Sequence, residues 1–346
     1  MRKQVKCLVW DLDETLWSGT LVEGDAVILK KGVPELLTSL TKRGILNSIA
    51  SRNDHATAMK ELERLGVDKF FIAPCIDHSP KPDNLQEIAQ SLNISVDSLA
   101  FIDNDPFERA AVTYSFPDVL VINSEDYLEI PSMEAFQATG DTAEACDRVK
   151  SYRDEAKRSQ AEAGFSGSRL SFLKSCKMDL TVRLARAADA PRVVELAERT
   201  NQFNSSGVRY SADEVLEFIN DPDSQAVIGK LSDRFGDSGI IAAMILRRSG
   251  AMVTVESLMV SCRVDGRGIP SAMLALSMRS HDGMSVLQIR FNASQRNRRL
   301  LFLYQMMGFS PHAADGSLWK LEIDANIIPE PPEWLNIKGD FPRFDS

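Results

Sequence analysis

The stretch V-W-D-L-D-E-T, Val9 to Thr15, constrains the fold more than any other: a short apolar run stops on two aspartates separated by one residue. Val5, Cys7, Leu8, Val9 and Trp10 suit a strand buried on both faces, a pattern of parallel sheets covered by helices on each side. Such a strand delivers Asp11 and Asp13 to its C-terminal edge, where open α/β sheets bind their ligands.

Two carboxylates at this spacing share one hard cation through oxygen ligands, so that one of them approaches a phosphate without prohibitive repulsion. A capped strand exit is the plain alternative. Asp11, Asp13 and Thr15 together form a D-x-D-x-T signature that resembles motif one of the haloacid dehalogenase superfamily of phosphotransferases. The resemblance implies that Asp11 is a nucleophile forming an aspartyl phosphate and that Asp13 is the general acid and base.

Downstream, Trp17 to Gly32 reads as a turn-rich flap or hairpin, and Pro34 opens a helix that Gly44 closes. Ile45 to Ala50 forms the next strand, and its tip, S-R-N-D, brings Ser51, Arg52 and Asn53 to the same edge as candidate substrate contacts. Ser51 matches motif two, whose hydroxyl bonds the phosphoryl group; alternatively it caps a turn, with Asp54 capping a helix from His55 to Leu65. Strand three is expected at Phe70 to Ala73, followed by the loop P-C-I-D-H-S-P-K. Lys81 then opens a helix, either as a solvated lysine or as the motif-three ammonium that offsets charge between nucleophile and phosphate. Leu99 to Ile102 makes strand four, and its exit at Asp103 and Asn104 matches motif four, the acidic end of the magnesium shell. Strand five falls at Val119 to Ile122. The resemblance therefore implies a magnesium ion among Asp11, Asp13, Asp103 and Asn104. Neither Asp13 to Pro34 nor Ser51 to Lys81 has room for a large cap domain, and an open cleft suits a protein-bound substrate.

At 346 residues the chain is long for a single core, so two domains are expected. A net charge of -9 argues against nucleic acid as the main partner, while a local basic patch still suits an acidic carrier protein. Cys7, Cys75, Cys146, Cys176 and Cys262 are odd in number and lack C-x-x-C pairing, which suggests neither a disulfide framework nor a zinc site. M-R-K-Q-V-K leads straight into the first strand, and no apolar run approaches membrane-spanning length. The expected location is the cytoplasm, away from the membrane.

Thr142 to Ala163 is charged and helical in character and precedes G-F-S-G-S, giving three expected parts: residues 1–140, a linker 141–177, and 178–346. From Leu180 the pattern runs strand, helix, helix, then strands at Ala226–Leu231, Gly239–Arg247 and Met252–Met259. The last leads into C-R-V-D-G-R-G, where Arg263, Gly266 and Gly268 fit R-x-x-G-x-G before a helix from Ile269. Glycines there let backbone N–H groups approach a pyrophosphate, or they simply make a tight turn. With L-Y-Q-M-M-G-F, Leu303 to Phe309, this half resembles GNAT-type acetyltransferases, which bind the phosphopantetheine arm of coenzyme A.

A capless haloacid dehalogenase-like Rossmannoid domain followed by a GNAT-type acetyltransferase-like α/β domain resembles the FkbH-like family of polyketide biosynthesis. The carrying residues are V-W-D-L-D-E-T-L-W, S-P-K at Ser79 to Lys81, F-I-D-N-D-P-F-E-R from Phe101, T-N-Q-F-N from Thr200, and S-C-R-V-D-G-R-G from Ser261. The resemblance implies a glyceryl transferase/phosphatase that takes a glyceryl unit from 1,3-bisphosphoglycerate, removes phosphate and loads an acyl carrier protein thiol. It implies magnesium as cofactor. Cys75 in the Lys81 loop and Cys262 beside the glycine turn are the candidate acyl-carrying thiols, with core packing as the alternative for each. His78 is the histidine near that site. Asn201 and Asn204 serve either as helix-end caps or as substrate-binding amides. The family usually shows D-D-N-P where this chain has Asp103, Asn104, Asp105 and Pro106, a displacement expected to alter the magnesium shell unless Asp105 compensates. A plain magnesium-dependent phosphatase and a silent carrier-binding scaffold are the alternative functions.

Overall fold

A computed structural model describes residues 4–137, 148–200, 202–280, 286–295, 297–315, 318–324, 329–339 and 344. The chain divides into two compact units, Met1–Ala156 and Lys157–Ser346, each with its own sheet and core.

The first unit alternates strand and helix. β1 (Cys7–Trp10) leads to a small hairpin, β2 (Trp17–Ser18) and β3 (Ile28–Leu29); then come α1 (Val33–Lys42), β4 (Leu46–Ser51) and α2 (His55–Arg64). β5 (Cys75–Ile76), α3 (Lys81–Ser91), β6 (Leu99–Asp103), α4 (Pro106–Ser115) and β7 (Leu120–Asn123) complete it. The sheet order is β5-β4-β1-β6-β7, parallel throughout, so the chain starts at the centre and winds outward in both directions. Leu8 and Trp10 pack into one apolar layer with α1 and α2, while Cys7 and Val9 pack into the opposite layer with α3 and α4. Burial on both faces is thus what makes β1 an uninterrupted apolar run.

Strand three departs from the expected Phe70–Ala73. Asp68–Phe70 is a 3-10 turn, Phe71 makes a single parallel bridge with Asn47 of β4, and Ala73 takes a left-handed φ of 49°, so the strand proper pairs with β4 at Cys75–Ile76.

α5 (Arg148–Ala163) spans the division between the units, inside the segment expected to be a linker. A further short helix, α6 (Arg169–Ser175), follows the expected G-F-S-G-S turn, with Ser168 accepting a cap bond from Ser171 N.

The second unit comprises β8 (Met178–Leu184), α7 (Ala190–Arg199), α8 (Ala212–Asn220), β9 (Ser224–Asp233), β10 (Gly236–Ser249), β11 (Met252–Val260), α9 (Ile269–Ser280), β12 (Val286–Asn292), α10 (Arg298–Met306), β13 (Ser310–Asp315), β14 (Leu318–Asp324) and β15 (Leu335–Lys338). Its sheet runs β13-β14-β12-β11-β10-β9-β8-β15, antiparallel except at β11–β12 and β15–β8. α7 and α8 cover one face; α9 and α10 pack into the core on the other. β11 and β12 pair only from Met252↔Val286 to Val255↔Ile289. The pairing with β10 shifts register at the same place, leaving Glu256 as an extra residue, and such a bulge bends its strand. β11 and β12 therefore part beyond Val255. Among the described residues, no helix is long and apolar enough to cross a membrane.

Candidate active site

In a parallel sheet, adjacent strand ends meet at one edge, and here β4, β1 and β6 bring Ser51, Asp11 and Asp103 together. Asp11 N donates to Ile102 O at 3.0 Å, which fixes the start of the turn after β1. Lys81, the first residue of α3, is only 2% exposed and reaches into the group from above the sheet edge. Its Nζ lies 2.5 Å from Asp11 Oδ1, 2.6 Å from Ala50 O and 3.3 Å from Asp103 Oδ2. Ser51 Oγ donates to Asp11 Oδ1 at 3.0 Å. One ammonium thus faces two buried carboxylates, a balance that leaves net negative charge for a cation to neutralise.

Asp103 registers that imbalance. Its carboxyl is pushed up to about 6, first by burial and next by the Asp11 charge, with Lys81 opposing both. Asp103 Oδ1 accepts Asp105 N at 2.8 Å, whereas Oδ2 accepts no hydrogen bond and has only the Lys81 ion pair. A buried carboxylate oxygen without a hydrogen bond, next to a second carboxylate, suits a hard divalent cation. Among the described residues, no group of three or more His, Cys, Asp or Glu side chains gathers as a ligand set. The two carboxylates that would hold such a cation are Asp11 and Asp103.

The other expected metal ligands face elsewhere. Asp13 Oδ1 accepts Trp17 Nε1 at 2.8 Å and Leu21 N at 3.1 Å, and its Oδ2 accepts Asn53 Nδ2 at 3.0 Å. The flap and the β4 tip therefore hold this carboxylate between them. Asn104 is tied to Thr15: Thr15 Oγ1 accepts Asn104 N at 3.0 Å and lies 3.2 Å from Asn104 Oδ1. Asp105 caps α4, accepting Phe107 N at 2.8 Å. The aspartate displaced in the fourth motif is thus a helix cap, and the residue beside Lys81 is Asp103.

Of the remaining expectations, Asn53 is buried and also reaches Ser51 Oγ at 3.3 Å, while Arg52 turns to Glu108 at 3.1 Å. His78 is exposed on the loop before α3. Cys75 packs in the apolar layer under β4, and burial, aided by Glu87 and Asp77, pushes its thiol up to about 12. It has the setting of a core residue rather than of a nucleophile. Sequence reasoning passed over Trp17 and Arg109, which donate to Asp13 and to Asp103 O (2.8 Å). The P-F-E-R run that contains Arg109 was the available signal.

In the second unit, Cys262 is half-buried and opens a turn before α9, in which Arg263 Nε donates to Ser261 Oγ at 3.3 Å. Gly266 and Gly268 have φ of 72° and 79°, a region that only glycine enters cheaply. Both line an open cleft of about 580 Å³ together with Phe203, Arg298, Phe302 and Trp334. Asn204 is buried and holds its own turn, accepting Gly207 N at 2.9 Å and Ser257 Oγ at 3.2 Å, so it takes the structural one of its two expected roles. Asn201 lies outside the described residues.

The first unit has the parallel sheet with helices on both faces expected of a capless haloacid dehalogenase-like domain, and the second has the mixed sheet with parted parallel strands expected of a GNAT-type acetyltransferase-like domain. No family model matches the chain, and no curated protein matches it. Among solved structures, the chain is similar to the N-terminal part of the protein BF1531 from Bacteroides fragilis, which contains a phosphatase domain and was crystallised with Mg. Identity there is 30%, with 39% of this chain and 42% of that chain covered and a TM-score of 0.34. The match thus spans less than half of that protein's length. The chain is also similar to a PaiA N-acetyltransferase from Thermoplasma acidophilum in complex with coenzyme A, at 16% identity, 42% of this chain, 98% of that chain and a TM-score of 0.35. The GNAT domain of S. lividans PAT matches at 21% identity, over 41% of this chain and 89% of that chain, with a TM-score of 0.34.

Proposed function

We propose that the chain is a glyceryl transferase/phosphatase: it takes a glyceryl unit from 1,3-bisphosphoglycerate, removes phosphate and loads the phosphopantetheine thiol of an acyl carrier protein in polyketide biosynthesis. The observation that carries this reading is the Asp11 carboxylate with Lys81 at 2.5 Å and Ser51 at 3.0 Å, at the open edge of a parallel sheet. The motif likeness, T-N-Q-F-N and S-C-R-V-D-G-R-G included, supports the choice of substrate.

In the proposed phosphatase half, an Asp11 oxygen attacks phosphorus, the bond to the leaving oxygen breaks, and Asp13 gives that oxygen its proton. Asp13 then takes a proton from the water that opens the aspartyl phosphate, releasing phosphate and restoring Asp11. Ser51 and Lys81 bind the phosphoryl oxygens, and Asn53 and Trp17 hold Asp13 in place. Magnesium, held by Asp11 and Asp103, would supply charge neutralisation for the phosphoryl group. In the transferase half, a thiolate attacks the carbonyl carbon of the acyl phosphate, phosphate departs, and a glyceryl thioester remains. Cys262 or the carrier thiol itself supplies that sulfur, because Cys75 packs in the apolar layer and burial pushes its thiol up. The acidic carrier docks on the second unit, where Arg298 edges the 580 Å³ cleft.

A phosphatase without acyl transfer is the second reading, favoured by the burial of Cys75. The silent-scaffold alternative is disfavoured, because Asp103 remains beside Lys81. Intact-protein mass spectrometry of the chain and a holo carrier, incubated with magnesium and enzymatically generated 1,3-bisphosphoglycerate, separates these. A glyceryl-sized gain on the carrier is the expected result. Phosphate release without that gain selects the plain phosphatase, and neither activity selects the scaffold.

A further inference from the structure

Where β11 and β12 part beyond Val255, the facing edge of β11 presents backbone N–H and C=O groups. An extended arm that carries amides, such as the pantetheine of coenzyme A, adds to such an edge as an extra strand. In this chain the edge is already taken. Ser205 N donates to Leu258 O at 3.0 Å, Val260 N donates to Phe203 O at 2.9 Å, and Asn204 forms an antiparallel bridge with Met259. From the other side, Asn292 N at the end of β12 donates to Ser205 O at 2.8 Å. The Ser205 hydroxyl accepts Leu258 N at 2.9 Å, so the side chain also fills a ladder position. Ser205 is fully buried, and the space beneath is packed by Tyr304, itself fully buried against Phe291 at 5.9 Å between ring centroids.

At the glycine turn the space a side chain would take is filled by other parts of the unit. A Cβ on Gly268 would come within 2.6 Å of Pro332 Cγ and 3.2 Å of Trp334 Cζ2, and Trp334 Nε1 is anchored on Arg267 O at 2.8 Å. The corresponding space at Gly266 is filled by the Arg169 guanidinium. Phe203 also lines the neighbouring cleft.

We infer that residues Phe203–Ser205 act as a built-in strand filling the pantetheine slot between β11 and β12, so that the acetyltransferase-like unit excludes coenzyme A and acyl-coenzyme A from that slot. The domain keeps the shape of a coenzyme A enzyme while its own chain stands where the cofactor's arm would lie. This makes Phe203–Ser205 a specificity determinant: any acceptor thiol approaches from the outer cleft and not between the strands. The inference does not depend on the glyceryl-transfer reading.

Amide hydrogen exchange of the full chain, followed residue by residue with and without millimolar coenzyme A, tests it. Ser205, Val260 and Asn292 are expected to exchange slowly in the free chain and to keep the same protection with coenzyme A present. Fast exchange of these amides in the free chain overturns the inference. So does a loss of protection at Ser205 and Asn292 on adding coenzyme A, because either result means that the slot opens to the cofactor. A Ser205→Gly chain keeps the backbone bonds but loses the hydroxyl; Leu258 N is expected to exchange about fivefold to tenfold faster there, and an unchanged Leu258 rate overturns the proposed ladder role.

Discussion

At the scale of single residues, the buried trio of Asp11, Lys81 and Asp103 makes stability depend on pH. The folded Asp103 carboxyl keeps its proton to about pH 6, whereas the ordinary value is 3.8. Folding therefore takes up a proton between those values, and this group's effect on stability becomes more unfavourable as pH rises through the window. The cost above pH 6 is on the order of 1–3 kcal/mol, which a bound cation offsets. Magnesium is thus expected to raise the melting temperature at pH 7.5 and to have little effect at pH 5, measured by circular dichroism with and without chelator. Equal stabilisation at both values would remove Asp103 from the metal shell. Cys75 makes a second prediction at this scale. With its thiol near 12, about one molecule in ten thousand carries the thiolate at pH 8, so iodoacetamide should label Cys262 well before Cys75 in the folded chain. Mapping the alkylated peptides checks the order.

At the scale of elements, Asp105 separates two roles that its neighbourhood confuses. As the cap of α4 it should tolerate Asp105→Asn with stability and phosphate release unchanged, while Asp105→Ala should cost about 1 kcal/mol in denaturant titration and leave phosphate release intact. A large loss of activity in Asp105→Asn would instead make it a metal ligand. β1 and β6 were legible because burial on both faces writes a continuous apolar run, and Asp11 and Asp103 sit where those runs stop; β4, L-N-S-I-A-S, has Asn47 and Ser48 within it, and Ser51 ends it. Strand three was misplaced because nothing in Phe70–Ala73 announces the left-handed Ala73 that breaks it. α6 was hidden by the glycines and serines before it. Phe203–Ser205 was least legible: its partners Leu258 and Asn292 lie far along the chain, and a local reading of T-N-Q-F-N finds capping groups or substrate-binding amides but no strand. Pattern reveals an element's own period, whereas the partner of a short polar segment depends on contacts that sequence order does not display.

At the scale of the whole molecule, the division between the units, at Ala156 and Lys157, falls inside the segment 141–177 expected to be a linker. Tyr152, on α5, is part of the first unit's core, while Arg158 of the same helix holds Asp233 in the second unit at 2.8 Å. A fragment ending at residue 140, the expected boundary, removes Tyr152 from that core. Burial of a side chain of this size is worth roughly 1.5–3 kcal/mol, so a fragment ending at residue 160 should unfold at higher urea than one ending at 140. Matching midpoints would place the helix outside the first unit's cooperative core.

The strand supplied by Phe203–Ser205 also ties together parts of the chain that lie far apart in sequence. It is synthesised before β9, yet it rests between β11 and β12, two strands that do not exist until much more of the chain has emerged. Its bonds to Leu258 and Asn292 close long loops, the kind of contact that slows folding. A chain in which Phe203–Ser205 has not docked leaves the edge of β11 and the end of β12 without these backbone partners, so their protection reports the finished domain.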